Sequence, residues 1–139
     1  MPSIFTSVLR GETDGHVVYE DDLVFALLSR EAIRLGHTLV VPKVEIDYFI
    51  DLPEPHYSAL FRAGKLIARA LQNVTACRRV GTVIAGWDVP HVHYHLVPMV
   101  DYDDLDPHRA RLFSAEENAD MQHRIRVELA RLGDEPGRT

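Results

Sequence analysis

The chain has 139 residues, 46% hydrophobic and 26% charged, with a formal net charge of −6 and one cysteine. That length suits one domain with a sizeable core, and the acidic balance without a basic run argues against a binder of nucleic-acid backbones. The lone Cys77 rules out an intrachain disulfide, no apolar run nears the roughly 18 residues of a membrane span, and Met1-Pro2-Ser3-Ile4-Phe5 lacks a signal-peptide pattern, so a cytoplasmic protein is expected.

Taken in order, residues 3–10 form a short mixed apolar segment of one or two helical turns ending at Gly11. Val17–Tyr19 and Leu23–Leu28 read as two strands joined by Glu20-Asp21-Asp22, an acidic turn. His37–Val41 is a third strand, opened by Gly36 and closed by Pro42. From Pro53 to about Ala76 the period lengthens: Tyr57, Leu60, Phe61, Gly64, Ile67, Ala68 and Leu71 recur at three and four residues, the apolar stripe of a helix lying on a sheet. Gly64 on that stripe permits close packing. Val80–Ala85 is a fourth strand and Val89–Pro98 a fifth. The stretch 101–107 is acidic and loop-like. Ser114 followed by Glu117 has capping-box spacing for a last helix over about 115–132, with Met121, Ile125, Leu129 and Leu132 on one face and a frayed tail over 134–139. These elements predict an α+β fold: an antiparallel sheet of about five strands, one long helix packed on it, and a C-terminal helix. The organisation is one domain over 1–139, with a core over about 3–99, a loop and helix over 100–133, and the tail.

The fifth strand carries the chemistry. His91, His93 and His95 alternate with Val92, Tyr94 and Leu96 in a chain of eight histidines. On a strand, alternate side chains share a face, so the three imidazoles form a row about 13 Å long, with about 6.6 Å between neighbours. Neutral imidazole is a good nucleophile toward phosphorus, and its usual pKa near 6.5 leaves much of it neutral at pH 7. A metal site is the alternative: two of the three with His37 could hold zinc, although all three cannot converge on one ion from a straight strand.

His91-Val-His93-Tyr-His95-Leu-Val resembles the His-φ-His-φ-His-φ-φ motif of the histidine triad (HIT) family of nucleotide hydrolases and transferases. Tyr19-Glu20-Asp21-Asp22 and then Gly36–Lys43 resemble that family's N-terminal half at similar spacing, and Ile4-Phe5 through Arg10-Gly11-Glu12 fits its opening. The resemblance implies the HIT fold and a homodimer pairing through the long helix and a sheet edge. It also implies cleavage of nucleoside phosphoramidates or dinucleoside polyphosphates through a covalent nucleotidyl-histidine that releases a nucleoside monophosphate. The implied catalytic set is His93 as nucleophile, with His91 and His95 orienting the phosphate and assisting the leaving group, and His37 completing the site. The nucleotide would lie against His91, His95, Ser29, Asp88, Phe5 and Leu27. No cofactor is implied. Many members carry a Cys-x-x-Cys that helps to bind a structural zinc; Ser3 and Thr6 stand in that region, so no metal is expected, as in bacterial members without the pair.

The sequence departs from the family pattern around the phosphate. Trp87 and Asp88 occupy the places of a Gln and a Ser or Thr, the loop before the triad is shorter and lacks an Asn, and Ser29 aligns with a ribose-binding acid. A carboxylate at Asp88 would repel a phosphate unless it turns away or bonds a histidine. A nucleotide-binding scaffold that turns over poorly is therefore a second reading of the same residues.

Overall fold

The computed structural model describes residues 2–133; the tail expected over 134–139 lies outside the described residues. The chain opens with α1 (Ile4–Leu9), followed by β1 (Val17–Glu20), β2 (Val24–Leu28) and β3 (Glu31–Ala32). Then come β4 (Thr38–Pro42), α2 (His56–Thr75), β5 (Arg79–Val83), β6 (Tyr94–Met99), β7 (Arg111–Leu112) and α3 (Ala115–Gly133). Five strands form an antiparallel sheet in the order β1-β2-β4-β6-β5, as expected for an α+β fold with about five strands. The acidic turn forms because the Asp21 carboxylate accepts the N–H groups of Leu23 and Val24 and the Tyr19 hydroxyl.

One face of the sheet is covered by helices and the other only in part. On one, Leu60, Ile67 and Leu71 of α2 pack on Val24, Ala26, Val40 and Leu96, and Met121 and Ile125 of α3 extend this core. Gly64 lets α2 approach β6: a Cβ there would lie 2.5 Å from the Tyr94 ring. The Ser114–Glu117 capping box forms as its spacing predicts, both bonds being 3.0 Å long. On the other face, Phe5 and Val8 of α1 pack on Phe25, Leu27, Leu39 and Val41, and the rest of that face is left for a cleft.

Two expectations need correction. The fifth strand does not run from Val89; β6 begins at Tyr94. Pro90 has no N–H to give to a ladder, the His91 N–H turns back to the Val89 carbonyl, and the Val92 N–H bonds Ile46 rather than β4. The acidic stretch after Met99 is not a plain loop. Two short 3-10 turns carry it back across the sheet, where β7 pairs with β3. Asp104 anchors the return: its buried carboxylate accepts the N–H groups of Val100 and Asp101 and meets Arg34 at 2.7 Å and Arg109 at 3.3 Å.

Candidate active site

β6 alternates between the two faces of the sheet. Leu96 points into the core under α2, whereas His95 and Val97 border a cleft of about 1050 Å³ on the opposite face. His95 pairs in register with Leu39 of β4, which brings it beside His37 at the start of that strand. His93, His95 and His37 all border the cleft, with ring centroids 5.0 Å apart for His93 and His95 and 5.2 Å for His95 and His37.

Hydrogen bonds fix the protonated nitrogen of each ring. The Ile33 N–H donates to His37 Nδ1 (3.1 Å), so neutral His37 carries its proton on Nε2 and donates it to His95 Nδ1 at 2.9 Å. His95 must then carry its own proton on Nε2, a donor. His93 has the opposite tautomer: its Nδ1–H donates to the His91 carbonyl at 2.8 Å, which leaves the Nε2 lone pair unprotonated. The cleft therefore holds a nucleophilic nitrogen next to a hydrogen-bond donor.

Burial keeps the His37 and His95 rings neutral. It pushes His37 down to about 3, assisted by the neighbouring His95. Burial also pushes His95 down to about 4, with His93 lowering it further and the Asp88 carboxylate opposing. Charging either ring would place a cation where desolvation is costly; a proton on His95 Nδ1 would also break its bond with His37, and one on His37 Nδ1 its bond with the Ile33 N–H.

The remaining expected site residues separate. Phe5, Leu27, Ser29 and Asp88 all border the cleft with the three histidines. Phe5 packs on the His93 ring at 5.1 Å and on His91 at 5.8 Å. The Ser29 hydroxyl is already engaged, donating to the Glu31 carbonyl at 2.8 Å. His91 does not reach the cleft, which corrects the expected row of three. It is fully buried, its Nε2–H donates to the Pro42 carbonyl (2.7 Å), and its Nδ1 accepts from the Ser3 hydroxyl (2.6 Å). Because residues 89–93 have left the sheet, the alternation that would have aimed its ring at a phosphate does not operate there.

The sequence reading missed one wall of the cleft. Leu105, Pro107, Ala110, Leu112 and Phe113 from the returning C-terminal segment border it, close to the turn that carries Ile33 and His37. Nothing in that stretch has the period of a long strand, and a two-residue strand leaves no pattern.

The residues standing where the resemblance implies zinc do not fit a metal. Ser3 and Thr6 offer hydroxyls in place of thiolates, the Ser3 hydroxyl and its neighbour His91 are bonded to each other, and no group of three or more His, Cys, Asp or Glu among the described residues is arranged to hold an ion. His37 and His95 likewise face each other through a hydrogen bond rather than converging on a point.

Comparison with known proteins gives the family. A family profile described as "HIT domain" matches residues 10–101. An uncharacterized HIT-like protein of Borreliella burgdorferi is 31% identical over 107 residues, which cover 72% of this chain and 77% of that protein. The adenosine 5′-monophosphoramidase HNT1 of Saccharomyces cerevisiae is 28% identical over 100 residues, 70% of this chain and 63% of that one. The crystal structure of a zinc-bound histidine triad family protein from Mycobacterium smegmatis superposes with a TM-score of 0.81 at 25% identity and covers 94% of each chain.

Proposed function

This chain belongs to the HIT family of nucleotide-binding hydrolases and transferases, and from that premise we propose that it hydrolyses nucleoside phosphoramidates or dinucleoside polyphosphates to a nucleoside monophosphate. The observation that carries the proposal is the bond of His93 Nδ1–H to the His91 carbonyl, which leaves Nε2 as the free nitrogen of a ring that borders the cleft beside His95. In the first step, His93 Nε2 attacks the α-phosphorus and an N–P bond forms. The bond from phosphorus to the amine or phosphate leaving group breaks, that group keeps the electron pair, and a leaving amine takes a proton from solvent. His95 Nε2–H donates to a phosphate oxygen, where charge develops. The adduct ring keeps its Nδ1–H and becomes cationic, a charge met by the His91 carbonyl at 2.8 Å. Water then attacks phosphorus and gives up a proton to solvent; the N–P bond breaks, its electron pair returns to His93 Nε2, and the monophosphate leaves.

In this scheme His37 and His91 touch no substrate. His37 sets the tautomer of His95, and His91 presents the carbonyl that sets that of His93. Phe5 and Leu27 supply apolar surface for the nucleoside, and Ser29 stands where a ribose hydroxyl would be met. The phosphoramidate reading is supported by the activity named for the yeast relative. The position of Asp88 at the cleft favours a second reading, a nucleotide-binding protein with slow turnover. A homodimer is proposed to form through α2 and the sheet edge at β5, a largely exposed strand that among the described residues pairs with β6 alone. No described helix is long and apolar enough to cross a membrane.

The test is to incubate the pure protein with a labelled adenosine 5′-phosphoramidate and, separately, with a diadenosine polyphosphate. Release of AMP that depends on His93 is the expected result. Stoichiometric binding without AMP release selects the scaffold reading, and neither binding nor release overturns both.

A further inference from the structure

The N-terminal segment reaches the back of the site through one side chain. Ser3 is the N-cap of α1, and its hydroxyl oxygen accepts the Thr6 N–H at 3.2 Å. The same hydroxyl lies 2.6 Å from His91 Nδ1. The direction of that bond follows from the far side of the ring: His91 Nε2 is 2.7 Å from the Pro42 carbonyl, which can only accept. Nε2 is therefore protonated, Nδ1 is a bare acceptor, and Ser3 must be the donor. The Ser3 N–H in turn donates to Glu45 Oε1 at 2.7 Å. Hydrogen bonds from the Thr6 hydroxyl and the Ser3 N–H hold the Glu45 carboxyl below the usual carboxylate range. Three separate stretches, the N-terminus, the turn after β4 and the segment before β6, thus meet at one fully buried imidazole.

We propose that Ser3 is a positioning residue for the His93 nucleophile, acting through His91, and that this hydrogen-bonded brace occupies the place where the family resemblance implies a metal. The proposal rests on the reading of His93 as nucleophile. The His91 ring is held at both nitrogens, so its backbone is fixed, and its carbonyl is the acceptor that keeps the proton on His93 Nδ1. Without the Ser3 hydroxyl, a buried Nδ1 has no donor, the ring can turn, and the carbonyl it holds can move. His93 then samples the tautomer with Nε2 protonated, which has no lone pair for phosphorus. An N-cap with only a local role would not do this, because losing it frays α1 and leaves the His93 tautomer unchanged.

The experiment uses the full chain with 15N-labelled histidine and compares wild type, Ser3→Ala and Ser3→Thr. Two-bond proton–nitrogen NMR reads the tautomers, and steady-state hydrolysis of adenosine 5′-phosphoramidate reads the consequence. In wild type, His91 is expected as the Nε2–H form and His93 as the Nδ1–H form. In Ser3→Ala, His91 Nδ1 shifts to the position of an unbonded nitrogen, His93 shows both tautomers, and kcat falls about tenfold with KM within about twofold, as slight misplacement of a reacting group predicts. Ser3→Thr keeps a donor and restores the His93 tautomer, with kcat within about threefold of wild type. A Ser3→Ala protein with His93 purely Nδ1–H overturns the proposal, as does one with wild-type kcat. If wild type does not turn over, the proposed reaction fails, while the NMR comparison still decides the brace. If Ser3→Ala does not fold, Ser3→Cys, which puts a much weaker donor in place of the hydroxyl, takes its place; an unchanged His93 spectrum there also overturns the brace.

Discussion

Lowering the pH from 7.5 to 4.5 charges His37 and His95 in the unfolded chain while they stay largely neutral in the folded one, and the fold should lose stability in that interval. Burial holds His37 at about 3 and His95 at about 4 in the folded state, against about 6.5 in the unfolded chain. Between these values the unfolded state binds more protons, so the contribution is complete above about pH 6.5 and is lost as pH falls toward 4 and 3. At pH 4.5, two units below 6.5 at about 1.4 kcal/mol per unit, His37 alone accounts for about 2.7 kcal/mol. His95 adds less than that again, because the two rings share one hydrogen bond, giving about 3 to 5 kcal/mol together out of a typical total of about 5 to 15. His91 shifts in the same direction. Carboxylates held low, such as Asp21, Asp104 and Glu128, lose their contributions only at more acid pH. The assay is urea unfolding followed by far-ultraviolet circular dichroism, since Trp87 is 90% exposed and a poor reporter of folding. With an m-value near 2 kcal/mol/M, the midpoint should fall by about 1.5 to 2.5 M. A midpoint at pH 4.5 within about 0.3 M of that at pH 7.5 would refute the claim that these rings are buried neutral.

Other perturbations have equally definite outcomes. Gly64→Ala would put a Cβ 2.5 Å from the Tyr94 ring, so the ring, which packs on Phe61, must shift by about 1 Å. Overpacking of about 1 to 3 kcal/mol exceeds the roughly 1 kcal/mol regained in helix propensity, and a variant more stable than wild type in urea contradicts the packing. Asp104→Asn removes a buried carboxylate from Arg34 and Arg109 and should cost about 2 kcal/mol in urea unfolding, with no loss expected only if the C-terminal return is not anchored there. Asp88→Asn removes a negative charge at the cleft, so AMP should bind about threefold to tenfold more tightly at low salt; equal or weaker binding by calorimetry would mean that Asp88 does not face the phosphate.

Much of the fold was legible because its signals are long. The twenty-residue period of α2, the Ser114–Glu117 cap and the apolar runs of β2 and β4 each span enough residues to reveal a period. The shared placement of His93, His95 and His37 at one cleft was legible, because their backbone lies on or beside regular strands, and they are proposed as site residues on that ground. Strand alternation failed at His91, where it was extended through Pro90 into a segment held by Ile46 and Pro42 instead. Neither the brace at Ser3 nor the wall from Leu105 to Phe113 has a local pattern. The first depends on contact between residues 88 positions apart, and the second on a two-residue ribbon whose partner lies some eighty residues earlier.

The central claim is that His93 Nε2 forms the covalent intermediate. The direct measurement is rapid quench of the protein with labelled adenosine 5′-phosphoramidate, kept at neutral to alkaline pH and followed by peptide mapping. The account predicts an acid-labile adenylyl group on His93 alone, absent from His93→Ala, whose turnover falls by about 10³ or more while its fold persists. An adduct on any other residue, or a folded His93→Ala protein with near-normal turnover, would contradict it.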